Sequence, residues 1–241
     1  MGDMINYVTI SFGYADSLRN TFSQQILGIR VIVTVPDDLE TRRVVLAAKN
    51  SELFTLDCAF DGVGFHAAYN KARYLNIGLR ELRRRGARGW VILLDADILL
   101  PGDFGERLEA LLPLLDKGKL YGLRGRRVAA TGEEFAGVRG LGPWEAGLET
   151  FTTVVGYFNL FHLQGPHREY PASDPGRVEH DDYRFYSLFG KANTGVLPMA
   201  ALHLGKTYVN WGGQTEVFVA TGTLAVGKRG AGTRATGTLN S

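Results

Sequence analysis

Four short stretches of this sequence hold side chains whose types and spacing suit chemistry at a phosphate or a hydroxyl. Asp95-Ala96-Asp97 places two carboxylates directly behind Trp90-Val91-Ile92-Leu93-Leu94, the most apolar strand candidate in the chain. Carboxylates there are costly unless a cation or hydrogen-bond donors meet them, and their hard oxygens suit Mg2+ or Mn2+ shared with substrate phosphates. On an extended segment residues two apart point the same way, so both acids would face one site. The alternative is a pair of loop carboxylates capping a helix that begins near Phe104. His203 ends a second apolar run, in Ala201-Leu202-His203-Leu204-Gly205-Lys206. It is either a hydrogen-bonded structural histidine or a further partner for the cation, with Gly205 allowing close backbone approach and Lys206 offering a point charge to phosphate.

Glu179-His180-Asp181-Asp182 concentrates acids ahead of Tyr183-Arg184-Phe185. Such acids either complement a helix dipole or stand ready to take a proton from an acceptor hydroxyl. Tyr69-Asn70-Lys71-Ala72-Arg73 opens the helix that precedes Trp90. An aromatic ring and a lysine near a helix N-terminus can stack a base and pair a phosphate, or simply belong to an amphipathic helix. Tyr157, Phe158, Phe161 and Trp211 would stack on an acceptor sugar or pack in the core.

Positioning these groups requires a scaffold, and its periodicity is legible. Strand patterns at 7–11, 29–35, 53–56 and 90–94 alternate with helical patterns from 16 to 22, 39–49 and 65–85. Ala72, Leu75, Leu79 and Leu82 recur at helical spacing on one face. A helix over 104–115, strand candidates at 120–127, 156–163 and 196–204, and a helix over 180–189 follow, with loops at 129–149 and 164–177. Runs apolar on both faces alternating with helices indicate an α/β fold, a Rossmann-like mainly parallel sheet with helices on both faces. Ligands bind at the C-terminal edge of such sheets, where Asp95 and Asp97 fall.

The chain has 241 residues, 45% of them apolar and 22% charged, with a formal charge of +2. That length suits one domain, here 1–216, followed by a Gly/Thr-rich tail at 217–241 that would be a β-ribbon, an oligomer contact or a disordered end. The lone Cys58 excludes a disulfide scaffold and a Cys-built zinc site and fits a reducing, cytoplasmic compartment. No apolar run approaches the ~20 residues of a membrane span, and the N-terminus lacks a signal-peptide pattern. The charge is too small for a nucleic-acid polymer as partner, and the clusters Arg83-Arg84-Arg85 and Arg124, Arg126, Arg127 read as solvated faces. Neither a Walker nor a dinucleotide glycine fingerprint occurs.

Taken together, Tyr69-Asn70-Lys71-Ala72-Arg73-Tyr74-Leu75-Asn76-Ile77-Gly78-Leu79 and the strand from Trp90 with its Asp-x-Asp resemble the GT-A fold glycosyltransferases, particularly family 2-like enzymes and metazoan β-galactosyltransferases. The resemblance spans roughly residues 5–211. It implies a nucleotide-sugar donor, a UDP-sugar, bound with Mn2+ or Mg2+, a carbohydrate or other hydroxyl acceptor, and inverting transfer. By position, Tyr69 and Lys71 resemble residues near the uridine, with Ser11, Phe12 and Tyr14 lining the same pocket. Asp97 resembles the direct metal ligand, Asp95 its partner near the ribose or a metal-bound water, and His203 the later metal-binding histidine. His180-Asp181-Asp182 is similar to the family's Glu-Asp-Asp, which implies Asp181 as catalytic base with Asp182 as the alternative. His180 stands where that motif has Glu, and His203-Leu204-Gly205-Lys206 with Trp211 is similar to an element of retaining family 8 enzymes. A retaining transferase and a non-catalytic carbohydrate- or nucleotide-sugar-binding module are therefore the alternatives.

Overall fold

The structure, a computed structural model, describes residues 4–21, 28–36, 38–48, 53–57, 71–129, 148–167, 169–172 and 181–204. Cys58, most of the 129–149 loop and the 217–241 tail lie outside the described residues.

The first half follows the expected alternation. Strands β1 (Ile5–Ile10), β2 (Arg30–Thr34), β3 (Leu53–Asp57) and β4 (Trp90–Leu94) pair in parallel in the spatial order β3-β2-β1-β4. β1, β2 and β4 are buried along their whole length, as a sheet covered on both faces requires. On one face, Val8, Val33, Val91 and Leu93 meet Ala72, Leu75, Leu79 and Leu82 of α3 (Lys71–Arg84). On the other, Ile5, Trp90, Ile92 and Leu94 meet Phe104 and Leu108 of α4 (Phe104–Leu111). Ile32 packs with Leu18 of α1 (Ala15–Thr21) and with Val44 and Val45 of α2 (Leu39–Ala47).

Two local devices set the helices against the sheet. Asp38 caps α2: one carboxylate oxygen accepts from the Thr41 N–H at 3.0 Å and the other from the Gly13 N–H at 2.8 Å, tying the β1–α1 loop to the helix. Gly78 lets α3 lie close on the sheet, because a Cβ there would run into Val8 Cγ1 and come within 3.1 Å of Val33 Cγ2. The helix expected over 104–115 divides into α4 and a 3₁₀ turn at Leu112–Leu114. Pro113 lacks the N–H that would continue the α-helical ladder.

Beyond β4 the sheet becomes mixed. β8 (Phe158–His162) lies antiparallel to β4 and to β6 (Leu120–Ala129). β6 runs parallel to β9 (Thr194–Leu204), with a register shift between Leu123 and Gly125, and antiparallel to the short β7 (Glu149–Thr150). β9 then pairs antiparallel with the two-residue β5 (Ile98–Leu99). The full path is β3-β2-β1-β4-β8-β6-β9-β5. α5 (Asp181–Phe189) packs against α3 through Phe185 and Phe189 in the same core cluster. Among the described residues, no helix is long and apolar enough to cross a membrane.

Candidate functional site

β4 ends at Leu94, and the chain turns at once. The Asp95 N–H donates to the Tyr157 carbonyl at 3.1 Å, and the Ile98 N–H donates back to the Asp95 carbonyl at 3.2 Å. Asp95-Ala96-Asp97 is thus a turn and not extended chain, so the two acids lead to different partners, contrary to the alternation expected from sequence. β5 follows with Ile98 opposite His203, and the Leu204 N–H donates to the Asp97 carbonyl at 2.8 Å. Neither acid caps α4, whose N-cap residue is Asp103.

This register brings together side chains 106 residues apart: His203 Nε2 lies 3.2 Å from Asp97 Oδ2. Both residues are nearly buried, at 6% and 8% exposure. The other ring nitrogen of His203, Nδ1, lies 3.2 Å from a guanidinium nitrogen of Arg126. Arg126 is itself held on several sides. Its Nε is 2.7 Å from Glu149 Oε2, and its guanidinium sits 5.6 Å above the Phe151 ring and 5.5 Å above that of Tyr157. The Tyr157 ring in turn stacks beside the His203 imidazole. Arg126, read from sequence as part of a solvated basic cluster, therefore belongs to the site. Its strand and the one bearing Glu149 had to pair before that could be seen.

A second node forms around Lys71, in the first turn of α3. Its ammonium donates to Asp95 at 3.0 Å, to Asp182 at 3.1 Å and to the Gly156 carbonyl at 2.9 Å. The second oxygen of Asp182 accepts from the Tyr170 hydroxyl at 3.1 Å, and Tyr170 is positioned by Asn76, whose side-chain amide bonds both its backbone carbonyl and its N–H. Gly156 is required here, because a Cβ would overlap the Asp182 carboxylate. Asp181 goes elsewhere: at 2% exposure its Oδ2 accepts from the Ala72 N–H at 3.2 Å, facing the first turn of α3. Of the two acids, Asp182 is the one that meets the Asp-x-Asp turn through Lys71.

Electrostatics follow the packing. Burial pushes the Asp95 carboxyl up to about 6, opposed by the Lys71 ammonium and reinforced by the charges of Asp97 and Asp182. Burial also raises the phenols of Tyr14 and Tyr170, the first helped by Asp97 and Asp95, the second by Asp182. Tyr14 therefore stands beside the Asp turn. Ser11 and Phe12 do not open onto it as expected: the Ser11 hydroxyl is fully buried against that of Thr41 at 3.0 Å, and Phe12 packs edge-on against Tyr74 in the core. Tyr157, Phe158 and Phe161 are likewise core residues, at 4%, 0% and 1% exposure. Tyr69, His180, Lys206 and Trp211 lie outside the described residues.

No protein-family model matches the sequence, and no curated protein matches it. Among solved structures, the chain is similar to the mannosyltransferase PcManGT from Pyrobaculum calidifontis in complex with GDP-Man and Mn2+, at 16% identity and a TM-score of 0.52. That similarity covers 86% of this chain but 59% of the mannosyltransferase, so the chain spans well under two thirds of it. A mycobacterial protein is similar at 16% identity and a TM-score of 0.52, with 91% of this chain and 73% of that one covered. What is shared is the fold, the α/β GT-A fold expected from the sequence.

Proposed function

We propose that the protein is a glycosyltransferase that moves a sugar from a nucleotide diphosphate sugar, a UDP-sugar by resemblance, to a hydroxyl acceptor with the help of a divalent cation and with inversion at the anomeric carbon. One observation supports the reading: the Asp95–Asp97 turn that follows β4 is met at Asp97 by His203 and at Asp95 by Lys71, which also holds Asp182. The oxygen donors suit Mg2+ or Mn2+. Among the described residues no three of His, Cys, Asp and Glu stand together as a metal cage, so a cation here would need substrate phosphates and water for the rest of its shell. Asp97 would hold it, with Asp95 aligned alongside by Lys71. Held there, a divalent cation would supply positive charge to the leaving diphosphate.

The remaining roles belong to the chain itself. Asp182 is the proposed base: Lys71 and Tyr170 fix its orientation by one bond to each oxygen, and an ionised carboxylate keeps further lone pairs for an acceptor hydroxyl. As the hydroxyl oxygen bonds to the anomeric carbon, its proton passes to Asp182 and the diphosphate departs with the electron pair of the broken bond. Asp181, bonded to α3 and almost fully buried, is the weaker candidate for that role. The test is transfer by purified protein across a panel of nucleotide diphosphate sugars with Mn2+, following nucleotide diphosphate release and the anomeric configuration of the product. Asp97→Ala is expected to abolish turnover and Asp182→Asn to lower it by roughly 10²–10⁴-fold. Full turnover in Asp97→Ala overturns the metal role, and retention of configuration overturns the inverting one. A second reading, a nucleotide-sugar-binding module without turnover, draws on the two donors that already occupy Asp182; ligand-induced thermal stabilisation with no product in any arm would establish it.

A further inference from the structure

His203 was expected to bind the cation directly, and its distance from Asp97 is compatible with that. The other side of the ring is not. A histidine that ligates a metal through Nε2 keeps its proton on Nδ1 and donates it to a carboxylate, a carbonyl or water. Here Nδ1 faces Arg126 at 3.2 Å, and a guanidinium has only donors to offer and does not give up its proton in proteins. Nδ1 must therefore be the accepting nitrogen. Nε2 then bears the hydrogen and directs it at Asp97 Oδ2. Both ring nitrogens find complementary partners in this orientation, so a flipped ring would lose both bonds.

Arg126 has little freedom to turn away. Glu149 holds its Nε at 2.7 Å, the Phe151 and Tyr157 rings lie against the guanidinium, and the Tyr157 hydroxyl is anchored to the Gly125 carbonyl at 3.2 Å. The Tyr157 ring lies beside His203 as well, with the ring centroids 6.2 Å apart and the planes 29° from parallel.

We propose that Arg126 and Asp97 together set His203 as the Nε2–H tautomer, so that His203 is a positioning residue, donating a hydrogen bond to Asp97, and not a ligand of the cation. The tautomer assignment stands without any metal, whereas the ligand question rests on the proposed metal role of Asp97. The experiment separates the two. Long-range 15N–1H correlation spectra of the metal-free protein are recorded, with the His203 signals identified among the five histidines by their loss in His203→Gln. The expected pattern is a protonated Nε2 and an unprotonated Nδ1 in the wild type. Arg126→Lys, which still donates, should preserve it; in Arg126→Met the proton should stay on Nε2, held by the Asp97 carboxylate, while the Nδ1 resonance moves toward that of a nitrogen that has lost a hydrogen-bond donor. An Nδ1–H tautomer in the wild type, or an Nδ1 resonance that is the same in wild type and Arg126→Met, overturns the proposal. Mn2+ affinity is then read by electron paramagnetic resonance of the free ion. His203→Gln, whose amide can still donate to Asp97, should bind within about threefold of wild type, while His203→Ala should lose roughly 10–100-fold, as a lost outer partner does. Equal, severe losses in both variants would make His203 a ligand and overturn the proposal. Failure of the wild type itself to bind Mn2+ would remove the metal role of Asp97 and leave the tautomer result to stand or fall on the spectra.

Discussion

At the scale of single residues, Lys71 joins the Asp-x-Asp turn to the acid of α5. Its side chain is 8% exposed and lies between Asp95 and Asp182, at 29% and 35%. Removing one partner of such a cluster leaves like charges facing each other, a loss of several kcal/mol for a buried pair that solvent around the partly exposed acids reduces to about 2. Lys71→Met is accordingly expected to lower the urea midpoint, with a smaller deficit at acid pH, where the carboxylates are neutral. Asp95 has its own pH signature. Its folded-state value of about 6 lies above the ordinary 3.8, so the folded protein binds that proton more tightly. The stabilisation is complete below pH 3.8 and disappears as pH rises through about 6. In Asp95→Asn the fall in stability between about pH 4 and pH 7 should shrink by roughly 1 kcal/mol, a partly exposed carboxylate being screened; an unchanged pH profile would exclude this account. Arg126 and Tyr170 were invisible as site residues because nothing local distinguishes a strand arginine or a loop tyrosine that meets an acid from one that meets water.

At the scale of elements, α3 is where local pattern and site meet. Its apolar stripe of Ala72, Leu75, Leu79 and Leu82, all within 2% exposure, was readable from spacing, as was β4 from its unbroken apolar run. Gly78 offers a clean test of how closely the two layers approach. Alanine would gain about 0.5–1 kcal/mol of helix propensity, but its methyl group would intrude on Val8 and Val33, and overpacking costs about 1–3 kcal/mol. Gly78→Ala should therefore destabilise by about 1–2 kcal/mol, seen as a lower urea midpoint with an unchanged slope. The two-residue strands β5 and β7 were not legible. Their sequences are too short to show a period, and they exist because β9 and β6 supply partners.

At the scale of the whole molecule, the mixed half of the sheet folds back so that β9 ends beside the turn after β4, and a ligand bound there would brace both halves at once. Mn2+ together with the correct nucleotide diphosphate at about 100 times the dissociation constant should add roughly 2.7 kcal/mol, or about 5–10 °C in melting temperature for a chain of this size. Asp97→Ala should abolish the part of that shift that depends on Mn2+, as differential scanning fluorimetry would read. The sequence by itself determined the alternation of strands and helices through β4, the buried strand ahead of Asp95, and the presence of acids and an imidazole near strand and helix ends, since burial periodicity is a local property of neighbouring residues. Only the tertiary structure decided that Asp97 meets His203 and that His203 meets Arg126, that Asp181 turns to α3 while Asp182 turns to Lys71, and that Ser11 and Phe12 lie in the core. Those partnerships join residues up to 111 positions apart. They depend on strand register and helix docking, which the summed burial of the whole sheet selects and no short window of sequence contains.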